Sequence, residues 1–358
     1  MKKQLTIIIG IFLIIGVLLF LKKYPLKYYT CYIKTPQTKI EILEPKLIKI
    51  PQGASLQEII NVIKNNLELS EKEVNSLICL IRKENHLKDI KAGYFYFEKG
   101  EYSLQDIIER LKNPNPPTIK VTIPEGLRYD QIAEILSSKL ANPYSKFSKA
   151  EFLKYANNPA LVAQKLPQYK STIADKRTLE GFLYPATYDI RFDETTLQVL
   201  EKMLKAYVAY NQSLMDKAKA EGNEIIRWLG DYKVLILASI IERETTADLQ
   251  ERRMVADILL RRLKAGYPLQ TDATLLYPHK DWNHIITQQD KQSTSPYNSY
   301  KYLGLPPTPI CNPGKDAVYA VLYPIPNNYW YYLHGKDGKI RYATTYQEHL
   351  LNIQKYLR

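Results

Sequence analysis

The run IKVTIPEGLRYDQIAEILSSKL, Ile119–Leu140, decides the fold class. Ile119, Val121 and Ile123 alternate with polar neighbours, the pattern of a strand with one buried face. Pro124, Glu125 and Gly126 end the strand. Ile132, Ile135, Leu136 and Leu140 then recur at the spacing of a helix with one apolar stripe. KLIKIPQGASLQEIINVIKNNL, Lys46–Leu67, repeats that order of strand, Ile-Pro-x-Gly turn and helix. A third unit, Glu101-Tyr102-Ser103-Leu104 leading into QDIIERLKN, shares the turn-to-helix half, and Gly93–Phe97 reads as a further strand. Ser55 stands three residues before Glu58, the spacing of a capping box, and Ser103 three before Asp106. Helical stretches are expected near 128–141, 148–156, 195–221 and 231–264. Past 264, Pro- and Tyr-rich loops and short strands are expected, closed by a helix over Tyr346–Leu357. Strands and helices in this mixture imply an α+β chain. NPNPP, Asn113–Pro117, stops a helix and reads as a hinge.

The N-terminus carries a different signal. LTIIIGIFLIIGVLLFL, Leu5–Leu21, holds no charge and is bracketed by Lys2-Lys3 and Lys22-Lys23. A helix of that length reaches roughly 25 Å, the short end of a bilayer span, and flanking lysines extend it by snorkelling. No A-x-A-like site follows it, so a retained transmembrane helix is expected rather than a cleaved signal peptide. Lysines on both sides leave its orientation unset by charge. The expected organisation is a short tail (1–4), an anchor (5–21), a stem (22–45), a small α/β module (46–122) and a larger mixed α+β domain (123–358). The 358 residues carry a net charge of +13 and 29 Tyr against 8 Phe and 3 Trp. That charge suits an anionic polymer or a membrane surface, and Tyr suits sugar faces; no nucleic-acid-binding signature accompanies them, so nucleic acid is not an expected partner. Cys31, Cys79 and Cys311, odd in number and irregular in spacing, are not a disulfide framework.

The segment that carries chemistry is DYKVLILASIIERETT, Asp231–Thr246. At about 100° per residue, Leu235, Ala238 and Glu242 share one helix face and Glu244 falls on the opposite side. A helix that buries Leu235 and Ala238 turns Glu242 toward the interior or a cleft, where desolvation raises a carboxyl pKa as a general acid requires. On the residues alone the leading alternative is that Glu242 pairs with a buried arginine, such as Arg252 or Arg261, and serves only the fold, since one carboxylate on a helix is not specific. The enzymatic reading rests on this carboxyl, and fails if the side chain lies in open solvent or is locked to an arginine with no cleft beside it.

LASIIERET (Leu237–Thr245) resembles the catalytic segment of the endolytic murein transglycosylases, the YceG-like family. LEGFLYPATYDI (Leu179–Ile190) precedes it in the family's order. ERRMVADILLRRL (Glu251–Leu263), PLQTDATLLY (Pro268–Tyr277), SPYNSYKYLGLPPTPICNPG (Ser295–Gly314) and DGKIRYATTYQEH (Asp337–His349) follow. The resemblance spans essentially the whole chain and implies a LysM-like module over 46–122. It implies a lyase that cuts N-acetylmuramic acid–N-acetylglucosamine bonds within nascent peptidoglycan strands and leaves 1,6-anhydro ends. Glu242 matches the family's catalytic glutamate, with Glu180 and Asp272 as candidates for a second role. Gln270, Thr271, Asp272, Tyr297 and Asn298 are placed to hydrogen-bond the sugar, and Tyr184, Tyr188 and Tyr300 to stack on it; structural roles are open for each. The resemblance further implies a body outside the cytoplasmic membrane with the N-terminus inside, and penicillin-binding glycosyltransferases as partners.

Thr308, Cys311, Ile340 and Leu350 depart from the family's usual residues, outside the Glu242 segment, so specificity rather than chemistry is expected to differ. No cofactor is implied. His279 and His284 bracket Asp281 and Trp282 in a loop, and no metal is expected there; an H-E-x-x-H or Cys-x-x-Cys pair, a nucleophile elbow, a P-loop and a dinucleotide fingerprint are all missing from the sequence. The competing readings are a non-catalytic wall-binding scaffold and a hydrolytic glycosidase.

Overall fold

A computed structural model of the chain describes residues 39–83, 86–142 and 144–357, which form two compact units meeting at Pro117 and Thr118. The expected anchor, Leu5–Leu21, and most of the expected stem lie outside the described residues. Among the described residues no helix is long and apolar enough to cross a membrane.

Among its described residues, the first unit joins two antiparallel ribbons to three α-helices. Strand β1 (Lys39–Ile42) pairs with β4 (Gly100–Ser103), and β2 (Lys46–Ile50) with β3 (Gly93–Phe97). Helices α1 (Leu56–Leu67), α2 (Glu71–Lys83) and α3 (Leu104–Leu111) close over them. Ile48, Ile63, Leu77, Ile81, Phe95 and Phe97 are fully buried in its core. Both capping boxes form: Glu58 N–H donates to Ser55 Oγ (3.3 Å) while Ser55 N–H donates to Glu58 Oε2 (2.7 Å), and Ser103 and Asp106 do the same. Each box satisfies helix-end N–H groups locally, which is why these helix starts can be read from short sequence.

The second unit begins earlier than the expected residue 123. Thr118–Thr122 (β5) is paired in antiparallel register with Thr187–Arg191 (β6), so the strand belongs to the larger unit and the smaller one ends at Pro117. Helices α4 (Tyr129–Lys139), α5 (Lys149–Ala156), α6 (Pro159–Lys165) and α7 (Lys170–Ile173) follow β5. The helix expected over 195–221 is α8 (Thr196–Tyr207) and α9 (Ser213–Ala220) joined by a π-helical turn. Helix α10 (Glu224–Glu244) is broken at Gly230, whose φ of 72° only glycine adopts at little cost. The expected 231–264 run is likewise two helices: α10 stops at Glu244, and Asp248 caps the start of α11 (Leu249–Lys264), accepting from Glu251 N–H at 2.7 Å.

The region expected to be loops also contains helices α12 (Asp272–His279), α13 (Gln288–Gln292) and α14 (Lys315–Leu322). Helix α14 is apolar on nearly every side, with Ala317, Val318, Ala320, Val321 and Leu322 buried against α10 and α11. An antiparallel hairpin, β7 (Tyr331–His334) and β8 (Ile340–Ala343), and the closing helix α15 (Tyr346–Tyr356) complete the unit.

Candidate active site

The end of α10 sends Glu242 and Glu244 into opposite surroundings. The Glu242 side chain is 4% exposed. Arg252 of α11 grips both its oxygens, Nη2 to Oε1 at 2.6 Å and Nη1 to Oε2 at 3.3 Å. Oε2 also accepts the Gly314 N–H at 3.0 Å, a donor at the positive end of α14. Glu242 therefore joins three helices as an acceptor only. The arginine pairing that the sequence left open is the one observed, and Glu242 does not line the groove beside it.

Glu244 does. Two residues on, and about 200° round the helix, it faces a groove of about 610 Å³, within the range of small-ligand sites. Oε1 accepts the Ala273 N–H at 2.9 Å, in the first turn of α12, and Oε2 accepts the Tyr332 hydroxyl at 3.0 Å. Burial pushes its pKa up to about 6, and the nearby Asp272 carboxylate adds to that; the Ala273 N–H and the Tyr332 hydroxyl pull against it. Asp272 accepts the Tyr300 hydroxyl at 2.6 Å, and both carboxyls line the groove with Gln270 and Tyr300. Gln270 is held at φ 51°, a conformation uncommon for a side-chain-bearing residue and enriched at functional sites.

The far wall comes from the end of the chain. Tyr331 stacks on His349 at 5.2 Å, and both line the groove with Tyr346. Burial holds the His349 pKa below its ordinary value, so this wall presents neutral rings near neutral pH. Arg262 supports it from beneath: its guanidinium donates to Leu269 O (2.5 Å) and Trp330 O (2.6 and 2.9 Å) and lies 5.4 Å from the Tyr331 ring.

The remaining expected sugar contacts are placed elsewhere. Thr271 is fully buried among hydroxyls, its N–H donating to Ser299 Oγ at 3.0 Å. Asn298 is 1% exposed and spends its amide on the carbonyls of Lys291 (3.0 Å) and Ser293 (2.9 Å). The Tyr297 hydroxyl pairs with Thr308 at 2.9 Å, while Tyr188 is buried and donates to Tyr184 O. Tyr184 stacks on Tyr210 instead. Glu180 is fully buried, accepting from Tyr129 N–H (3.0 Å), Asn312 Nδ2 (2.8 Å) and the Tyr277 hydroxyl (3.2 Å); desolvation raises its pKa to about 8. Glu180, Thr271, Tyr188, Tyr297 and Asn298 thus do not line this groove, whereas Gln270, Asp272 and Tyr300 do. Glu244, Tyr332, Tyr331 and His349 were missed, and all but Glu244 lie on a hairpin and helix whose pairing no local pattern announces.

The YceG-like family model matches residues 48–355. A Bacillus subtilis protein named endolytic murein transglycosylase is 30% identical over 87% of this chain and 84% of its own length. A Streptococcus pneumoniae protein of the same name is 27% identical over 87% of this chain, which spans 58% of that relative's length. The 2.6 Å crystal structure of a yceG-like protein from Listeria monocytogenes aligns with a TM-score of 0.57 at 30% identity, covering 87% of this chain and 99% of that one.

Proposed function

The chain belongs to the YceG-like family, and on that premise we propose that it is an endolytic murein transglycosylase whose acid/base is Glu244, not Glu242. One observation carries the assignment: Glu244 is the carboxyl whose pKa burial lifts to about 6 while it faces a groove large enough for sugar rings. A pKa near the operating pH lets one group first give and then take a proton. Glu244 protonates the glycosidic oxygen as the bond between N-acetylmuramic acid and N-acetylglucosamine breaks. Its carboxylate then removes the proton from the muramoyl C6 hydroxyl, whose oxygen closes on C1 to form the 1,6-anhydro end. Because the nucleophile is part of the substrate, no second carboxylate has to activate water, unlike in a hydrolytic glycosidase. Asp272 adds negative charge near the developing oxocarbenium ion. Tyr331, Tyr346 and His349 offer flat faces to sugar rings.

The apolar run Leu5–Leu21 supports a single-pass anchor in the cytoplasmic membrane, N-terminus inside, with the body among nascent glycan strands. The first unit is a LysM-like module in this reading, and penicillin-binding glycosyltransferases are the partners that would feed strands to the groove. The test is product analysis on uncross-linked glycan by mass spectrometry. Wild type releases ends lighter by one water than a hydrolase's. Glu244→Gln is expected to lose at least ~100-fold in turnover while folding normally. Glu242→Gln, which takes from buried Arg252 its close carboxylate and leaves it Glu125 at 3.8 Å, is expected to lose about 3 kcal/mol of stability. Full turnover in Glu244→Gln would refute the assignment.

A further inference from the structure

Outside the groove, the loop that follows α12 folds back so that three metal-ligating side chains converge. His279 Nε2 lies 2.9 Å from Asp290 Oδ1, and His284 Nε2 lies 3.0 Å from Asp290 Oδ2. The three ligand atoms all fall within 4.8 Å of one another, and the two imidazoles stack with centroids 4.0 Å apart. We propose that His279, His284 and Asp290 form a binding site for one borderline divalent transition-metal cation, Zn²⁺ being the representative case.

Ligand atoms held about 2.0–2.1 Å from one ion stand about 2.9–3.4 Å apart, and each histidine already stands at such a distance from one oxygen of the carboxylate, His279 from Oδ1 and His284 from Oδ2. The coordination polyhedron closes by rotation of two part-exposed rings. Two imidazolium rings stacked this closely repel each other, whereas a shared cation uses both ring lone pairs and the carboxylate at once. The carboxylate is also oriented from behind: Thr287 donates its N–H and its hydroxyl to Asp290 Oδ2, both at 2.7 Å, as outer-shell groups do in metal sites. A cavity of about 540 Å³ bordered by His279, Asp290 and Asn298 leaves room for water to complete the coordination. Two imidazoles and one carboxylate suit Zn²⁺, Cu²⁺ or Ni²⁺ better than Ca²⁺ or Mg²⁺.

The site would also act on the groove. Asp290 is followed by Lys291, which lines the groove, and Asn298 ties the carbonyls of Lys291 and Ser293 just before Tyr300, another lining residue. An ion clipping 279 to 290 would stiffen the wall that carries Lys291 and Tyr300. This inference does not depend on the reaction assigned to Glu244.

The experiment is calorimetric titration of the full-length, tag-free chain in detergent with ZnCl₂, alongside thermal melts. One equivalent bound with micromolar or tighter affinity and a rise in Tm is expected. His279→Ala and His284→Ala should each weaken binding by at least ~10-fold and the double variant should abolish the Tm shift, while His334→Ala, outside the site, binds as wild type. Stoichiometric binding that survives in the double variant, or none in folded wild type at 100-fold excess of Zn²⁺, overturns the proposal. His279→Gln and His284→Gln, which keep polarity and bulk, repeat the test should an alanine variant misfold.

Discussion

Glu242 and Glu244 share a helix end and a chemical type, and their surroundings give them opposite uses. Glu242 is surrounded by donors already bound to it, two from Arg252 and one from Gly314. Glu244 has two neutral donors and an open face on the groove. A carboxyl raised above its ordinary 4.5 favours folding fully only below the unfolded pKa, and that contribution is lost as pH rises through the folded pKa. For Glu244 the loss runs from about 4.5 to about 6, so Glu244→Gln should match wild type in stability near pH 4 and exceed it at pH 8 by about 1–2 kcal/mol, seen as a higher Tm. Glu180, with a pKa of about 8 and no solvent contact, extends the same trend: the gap between Glu180→Gln and wild type should keep widening until about pH 8. Paired melts at pH 4, 6, 8 and 9 check both, and a wild-type advantage at pH 8 in either pair contradicts the burial argument. Gaining stability while losing turnover is what a strained catalytic group predicts.

At the scale of elements, the helix that bears these residues explains why Glu242 rather than Glu244 is the attractive glutamate in sequence. Face arguments work for amphipathic helices, but Val234 to Glu242 are buried without interruption because α11 and α14 pack against α10. A helix enclosed in this way has no polar side to point at solvent, so periodicity separates Glu242 from Glu244 without saying which meets a cavity. The β-turn-α units at Lys46 and Ile119 were legible because strand alternation and capping boxes are local. The hidden helix α14 was not, since its core-facing residues are small and flanked by proline. Gly181 marks how tightly these elements meet: at φ 88°, an added Cβ would stand 2.7 Å from Pro309 Cγ and 3.1 Å from Leu235 Cδ2. Gly181→Ala should therefore cost about 2–4 kcal/mol, from backbone strain plus overpacking. A denaturant midpoint shift at unchanged m-value measures it, and a shift worth under ~1 kcal/mol would mean that the Pro306–Ile310 loop yields.

At the scale of the whole molecule, every residue assigned to the groove comes from the second unit, and each unit has its own hydrophobic core. A unit with a closed core, paired strands and capped helices meets the conditions for folding alone. Residues 118–358, expressed without the rest, should melt cooperatively. Cut instead at residue 123, the boundary expected from sequence, the fragment would lack β5 and leave β6 without its partner, so it should melt at lower temperature. The shortened enzyme also separates two contributions that the intact chain combines. If the first unit grips glycan, removing it raises KM on long strands and leaves kcat within about threefold, because uniform binding is lost and the acid/base is untouched. If it is only a spacer, both constants stay as they were. A fall in kcat with KM unchanged fits neither, and would mean that Glu244 depends on a part of the chain outside its own unit.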